Sequence, residues 1–311
     1  MPGARYLIVA AFAVAALLPV ATDYLQQSYY LGFATRVVVF AIAALALDLV
    51  LGIAGLVSLG HAAFLGIGAY AVGIWTTHGV TAAPVHWATA AAAGAVFAAA
   101  TGAVALRTSG VAFIMITLAF GQMLFFLAVS LKSYGGDEGL TLWETARLGP
   151  LDLGDDRTLY WVALAWLAAC LLLARRLAAA RLGLVLRGAR TNERRVRALG
   201  FEPNRHRLAA YVISGAMASI AGCLLVHATD FASPAYMSWQ RSGELVVMVI
   251  LGGVGTLWGA ILGAVALLAV EEALAGLTTH WMMPLGLLLV AVSLLSRRGL
   301  AGLLSAFRAR P

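Results

Sequence analysis

The sequence predicts an all-α polytopic membrane protein of about ten transmembrane helices, built as two inverted five-helix repeats with Gly-rich helices that are short or broken. Three observations lead there. Mean hydropathy is +0.91 and only 11% of residues are charged, against about a quarter in soluble domains. The apolar sequence falls into runs close to the ~20 residues that cross a bilayer core. One segment breaks the pattern: from Arg175 to Arg207 the chain carries ten of its 21 Lys and Arg side chains. Such residues are retained in cytoplasmic loops, so this loop is expected inside and the crossings are counted outward from it. No stretch is left for a separate soluble domain. Residues 1–311 are read as one transmembrane domain, with 175–207 as its cytoplasmic basic loop.

The first crossing is expected from Tyr6 to Thr22, as an uncleaved span behind Arg5. The second, Leu31 to Leu51, carries Arg36 and Asp48 near opposite ends, where each can reach its own interface. The run Gly52 to Tyr70 leads into the third and is rich in residues that let backbones approach closely. Val85 to Leu106 and Val111 to Leu131 make the fourth and fifth. Ser133 to Thr158 holds six acidic residues against Arg147 and Arg157, and its Gly135-Gly136 and Gly149-Pro150 turns suit an external loop. Leu159 to Ala174 returns the chain to the basic side, and Leu208 to His227 leaves it again.

Gly243 to Gly276 is apolar throughout, with Gly252, Gly253, Gly255 and Gly259 in its middle. The last run, Trp281 to Leu295, ends at Arg297 and Arg298, which belong inside. Only two crossings within Gly243 to Gly276 satisfy that, giving ten in all and both termini cytoplasmic. About 17 residues each is about 25 Å of helix for a core of about 30 Å. At least one is therefore short or broken, and such backbone is tolerated only where protein or a water-filled cavity covers it. Five crossings per half make corresponding helices run in opposite directions, the inverted repeat of many transporters.

Little in the chain points to catalysis. The single Lys, Lys132, stands at a span end, so the phosphate-binding loop is absent. The histidines are dispersed without the i, i+4 spacing of a metal site on one helix. Cys170 and Cys223 lie in apolar runs as small hydrophobes. Ser58 and His61 lack a paired carboxylate and a nucleophile turn. Glu271-Glu272 is read as interface contact. The basic pI follows membrane orientation and is no nucleic-acid footprint. The most informative element is Arg190 to Gly200, where Thr191 or Asn192 caps a short helix that Gly200 stops. Val196 and Leu199 then share a face suited to a groove on a soluble partner, with the arginines steering.

These residues support a resemblance. Leu47-Asp48-Leu49-Val50-Leu51-Gly52-Ile53-Ala54-Gly55, Ser58-Leu59-Gly60-His61 through Tyr70, Gly110 to Gly121, Gly135 to Leu140, Arg187 to Gly200 and Leu251 to Ala260 closely resemble the signatures of branched-chain amino-acid ABC transporter permeases of the M type. The resemblance runs from about residue 30 to 296 in consistent order. It implies a non-catalytic permease subunit of a bacterial inner-membrane importer, without cofactor of its own. The implied partners are a homologous second permease subunit, two ABC ATPase subunits that use ATP, a periplasmic or lipid-tethered binding protein, and membrane lipid. Arg190, Asn192, Glu193, Arg194, Val196, Arg197, Leu199 and Gly200 look like the coupling helix that meets the ATPase, although charged residues at Arg194 and Arg195 replace the usual Ala pair. Asp48, Ser58, Gly60, His61, Gly66, Gly252, Gly253 and Gly255 are the expected translocation path. Asp48 and Leu56 stand where relatives usually carry Asn and Gln, which leaves urea, short amides or other amino acids open as cargo. A rival from another class is a proton- or ion-coupled secondary transporter working through Asp48, Glu271 or Glu272.

Overall fold

The structure, a computed structural model, describes residues 12, 15–19, 28–277, 280, 282–295 and 299–302. Most of the first expected crossing lies outside these residues, as do both termini and Arg297, Arg298, Arg308 and Arg310.

Helix α1 (Ser28–Asp48) runs on as a π-helical turn, Leu49–Ala54, and stops at Gly55 in left-handed geometry. After a non-helical link come α2 (Ala62–Thr77), α3 (Ala83–Ala105) and α4 (Val111–Ser130). Three two-residue strands follow, β1 (Leu140–Thr141), β2 (Arg147–Leu148) and β3 (Leu151–Asp152), then α5 (Asp156–Ala179) and α6 (Arg181–Ala198). The remainder is α7 (Pro203–Thr229), β4 (Phe231–Ala232), a 3-10 turn Pro234–Met237, α8 (Trp239–Gly252), α9 (Trp258–Leu277) and α10 (Met282–Leu295). Among the described residues six helices are long and apolar enough to cross a membrane: Tyr29–Ala54, α3, α4, α5, α7 and α9. The chain is a multi-pass membrane protein.

Two long, buried helices form the centre, α1 with its π-turn and α7. Each is followed by a non-helical link and a short helix: α2 has 16 residues and α8 has 14. Each short helix is followed by a long one, α3 and α9. The packing is reciprocal. α7 lies against α2 and α3 of the first half, and α1 against α8 and α9 of the second. Contacts fix the directions: His61 and Gly68 meet Ser214 and Cys223 in parallel, whereas Gly94 and Gly102 meet Gly215 and Tyr211 in antiparallel order. In the other half α9 runs against α1, with Glu271 beside Arg36 and Leu257 beside Asp48. Matched order with exchanged partners is the pattern that inverted repeats produce.

The contacts are close because the residues are small. A methyl group at Gly68 would lie 1.8 Å from the Ser219 carbonyl oxygen, and one at Gly222 1.8 Å from that of Leu65. Gly68→Ala is therefore expected to destabilise the fold by about 3 kcal/mol. Gly276→Ala, with nothing within 4 Å, is the control. Thermal unfolding midpoints in detergent check the pair, and equal midpoints would remove close packing as the reason for these glycines.

Two differences from the sequence reading matter for the site. The expected two crossings within Gly243 to Gly276 meet at a break of residues 253–257, but the first begins earlier, at Trp239. Residues 231–238, expected as an external link, fold inward: Ala232, Pro234 and Met237 are buried, and Met237 lies over Gly66. Ser233 and Ser238 each accept a backbone N–H two or three residues on, which supplies the hydrogen bonds that such backbone needs away from water.

The acidic end is closed by two small ribbons. Leu140 pairs with Ala232 and Thr141 with Phe231, while Arg147 pairs with Asp152. Asp155 starts α5 by accepting the Thr158 hydroxyl at 2.9 Å and its N–H at 3.2 Å; those bonds, the hydroxyl first, hold its carboxyl below the usual range.

Candidate functional site

Helices α2 and α8 begin against each other. Ala62 in the first turn of α2 donates its N–H to Ser242 Oγ in the first turn of α8, at 3.0 Å. Beside this junction His61 Nε2 lies 2.7 Å from Ser214 Oγ, and the Ser214 hydroxyl donates to the Ala46 carbonyl. A hydroxyl has one proton to give, so Ser214 accepts from His61, which assigns that hydrogen to Nε2. His61 Nδ1 is buried without a partner, and the ring packs edge-on to Phe64 and Tyr211. Ser58 is buried, its Oγ 3.4 Å from the Gly60 N–H. Gly60 approaches the Thr117 backbone so closely that a methyl would lie 2.2 Å from its carbonyl oxygen. Ser58, Gly60, His61 and Gly66, predicted from one run of sequence, thus gather where the two halves meet.

The other predicted path residues form a second group. Asp48 is fully buried in α1, and its carboxylate accepts the N–H of Gly255 at 2.7 Å and that of Leu257 at 2.8 Å. It holds the break between α8 and α9 in a shape with positive φ at Gly253, Gly255 and Leu257. Gly52 lets the break come this near, since a methyl there would lie 2.4 Å from the Gly255 nitrogen. Arg190 reaches in from α6: its Nη1 donates to the Gly52 carbonyl at 2.6 Å, and its stem covers Gly55. One guanidinium thus connects the basic segment to the π-turn of α1, and one carboxylate connects α1 to the break.

Helix α6 is two helices joined at Asn192, which leaves helical geometry at φ −155° and ψ 97°. Asn192 Oδ1 accepts the Arg195 N–H at 3.1 Å and so starts the second piece. Gly200, at φ +84°, ends it; Phe201 N–H donates to the Val196 carbonyl and Gly200 N–H to that of Arg197, the paired closure of a Schellman turn. Glu193 ties this short helix to α7 through Arg207 at 3.0 Å, and pairs with Arg197 at 2.6 Å. Val196 and Leu199, expected on one face, part company. Val196 packs into a cluster with Val185 and Ala189, whereas Leu199 is 75% exposed, with Phe201 beside it at 43%. The exposed apolar face belongs to Leu199 and Phe201, flanked by exposed Arg194 and Arg195.

A third group was missed by sequence reasoning, which left Glu271 without a basic partner and Arg36 reaching for the interface. Arg36 Nη2 lies 3.6 Å from Glu271 Oε1, and Arg241 Nη1 lies 2.6 Å from Glu244 Oε2. Both guanidiniums stand over the Phe40 ring, each 5.9 Å from its centre, and the Tyr29 hydroxyl donates to Glu272. The available signal was opposite charges on α1 and α9, two helices that an inverted repeat sets side by side. Arg241 was hidden because its segment was read as lying outside the hydrocarbon. Among the described residues no three His, Cys, Asp or Glu side chains gather as metal ligands would.

A family model described as the permease component of a branched-chain amino acid transport system matches residues 29–293. The chain is 31% identical over 326 aligned positions to the high-affinity branched-chain amino acid transport system permease protein LivM of Escherichia coli (strain K12), covering 93% of this chain and 74% of that protein. It is 29% identical to the corresponding protein of Salmonella typhimurium (strain LT2), covering 91% of this chain and 72% of that one. No solved structure matches.

Proposed function

The chain belongs to the permease-component family of branched-chain amino acid transport systems, a non-catalytic membrane subunit of an ABC transporter with other subunits, and from that premise we propose that it imports branched-chain amino acids across a bacterial inner membrane. In this reading it pairs with a homologous second permease subunit. Two ABC ATPase subunits bind at the basic end and use the ATP, so this chain holds no cofactor. A periplasmic or lipid-tethered binding protein delivers cargo at the acidic end. Both termini and residues 175–207 lie in the cytoplasm.

The observation that carries the reading is the second piece of α6. It is capped at Asn192, closed at Gly200, tied to α7 through Glu193 and presents Leu199 outward. A rigid element of this kind receives a partner's movement, and Arg190 passes it to Gly52 on α1. Asp48 passes it on to the break at Gly253 and Gly255, beside which Gly252 packs on Gly259 of α9. Ser58, Gly60, His61 and Gly66 border the junction that such movement opens to the cargo.

The test is reconstitution with ABC ATPase subunits and a substrate-binding protein from the same organism. Leucine uptake that requires ATP and both partners is the expected result. Uptake driven by a proton or sodium gradient, with this chain alone, would replace the reading by a secondary transporter. Uptake of urea or a short amide in place of leucine would keep the importer and change its cargo.

A further inference from the structure

Arg36 and Phe40 lie in the part of α1 that crosses the membrane, beside Arg241 and Glu244 of α8 and Glu271 of α9. Arg36 and Phe40 are about 12 and 18 Å along α1 from its start at Ser28, and α8 begins at that same depth. The four charged side chains stay between 21% and 40% exposed. Neighbouring Gly32 and Gly243 have nothing within 4 Å of where a side chain would start. Ion pairs so placed against lipid are costly, and charges at this depth belong facing protein or water.

The fold itself does not require them. Counting back equally from the ends of the two long central helices, Ala54 and Thr229, sets Arg36 in register with Tyr211 and Phe40 with Gly215. Counting forward equally from the starts of the short helices, Ala62 and Trp239, sets Arg241 in register with Phe64. In that other half Phe64 and Tyr211 close the space, their rings 5.7 Å apart beside Gly215. One half fills this position with packed rings, and the other lines it with paired charges and leaves it open.

We infer that this open, charged position is a recognition site for the zwitterionic ends of a free α-amino acid on its way through the permease. The guanidiniums of Arg36 and Arg241 meet the carboxylate, and Glu244 and Glu271 meet the ammonium group. The inference rests on the proposed amino-acid cargo. It adds recognition of both charged ends to passage at the junction of small residues. Both guanidiniums lie over the Phe40 ring, a contact that attracts cations.

The experiment uses the complete transporter in proteoliposomes with leucine, and with the amine and the carboxylic acid that lack one charged end. Arg241→Gln and Glu271→Gln are each expected to lower leucine uptake at least about tenfold, as loss of a charge-assisted hydrogen bond does, with subunit assembly and ATPase activity retained. The exchanged pair Arg36→Glu with Glu271→Arg separates roles: it restores a merely structural bridge and hence uptake, but it leaves recognition impaired. Glu244→Cys is expected to react with a hydrophilic thiol reagent and to be protected by leucine; both native cysteines are buried. Normal leucine uptake in both single variants, rescue by the exchanged pair, loss of assembly in the variants, or an introduced thiol that stays unreactive would each overturn the inference while leaving the importer reading intact. Failure of the unmodified transporter to move leucine would instead overturn the cargo on which it rests.

Discussion

Leu199→Asp is expected to lower ATP-driven uptake by about a hundredfold while the permease remains in the membrane at normal amount, because an unpaired carboxylate pressed into an apolar groove costs about 3 kcal/mol. Leu199 is 75% exposed, so nothing within the chain opposes the change. Val196→Asp has a different outcome. Val196 is buried with Val185 and Ala189, and a charge there opens the α6 hairpin itself, so the protein is lost along with the transport. The measurement is paired: permease abundance by immunoblot, and co-purification of the ATPase subunits with each variant. A Leu199→Asp permease that still carries stoichiometric ATPase and transports normally would move the docking surface elsewhere.

Asp48→Ala is expected to destabilise the protein by about 2–5 kcal/mol. It takes the acceptor from two N–H groups, the part-buried one of Gly255 and the buried one of Leu257, and a buried N–H left unsatisfied costs about 1–3 kcal/mol. Leu257 adds to the cost, since a non-Gly residue at φ 56° stays there only while its surroundings hold it. Asp48→Asn separates the two contributions. An amide offers one oxygen and turns an NH2 toward the second N–H, so about half of the loss is expected. Thermal unfolding in detergent reads both variants; a midpoint unchanged in Asp48→Ala would mean that the break between α8 and α9 holds its shape without the carboxylate.

Much of this arrangement was legible in the sequence wherever one local rule decided the structure. Asn192 and Gly200 bound a short helix by cap and stop chemistry that depends on a few consecutive residues. The glycine cluster from Gly252 to Gly259 foretold a break, because two crossings do not fit that length unbroken. What stayed hidden depended on residues far apart in the chain. Asp48 read as an interface carboxylate, since its partners are backbone groups more than 200 positions away. Residues 231–238 read as an external link because Ser and Pro mark turns equally well at the surface and inside, where Ser233 and Ser238 cap their own helices. Val196 and Leu199 share a helical face by spacing, yet the kink at Asn192 turns one of them onto the first piece of α6.

The meeting of the α2 and α8 first turns has an electrostatic result. Each helix begins with N–H groups that carry roughly half a positive charge, and the two beginnings point at one another across the Ala62 to Ser242 hydrogen bond. A sodium ion or hydronium arriving at that spot meets repulsion from both backbones, while a molecule bearing an anionic group is met by attraction. In the proposed importer this field comes from peptide groups, so it is set by where the backbone places the two first turns.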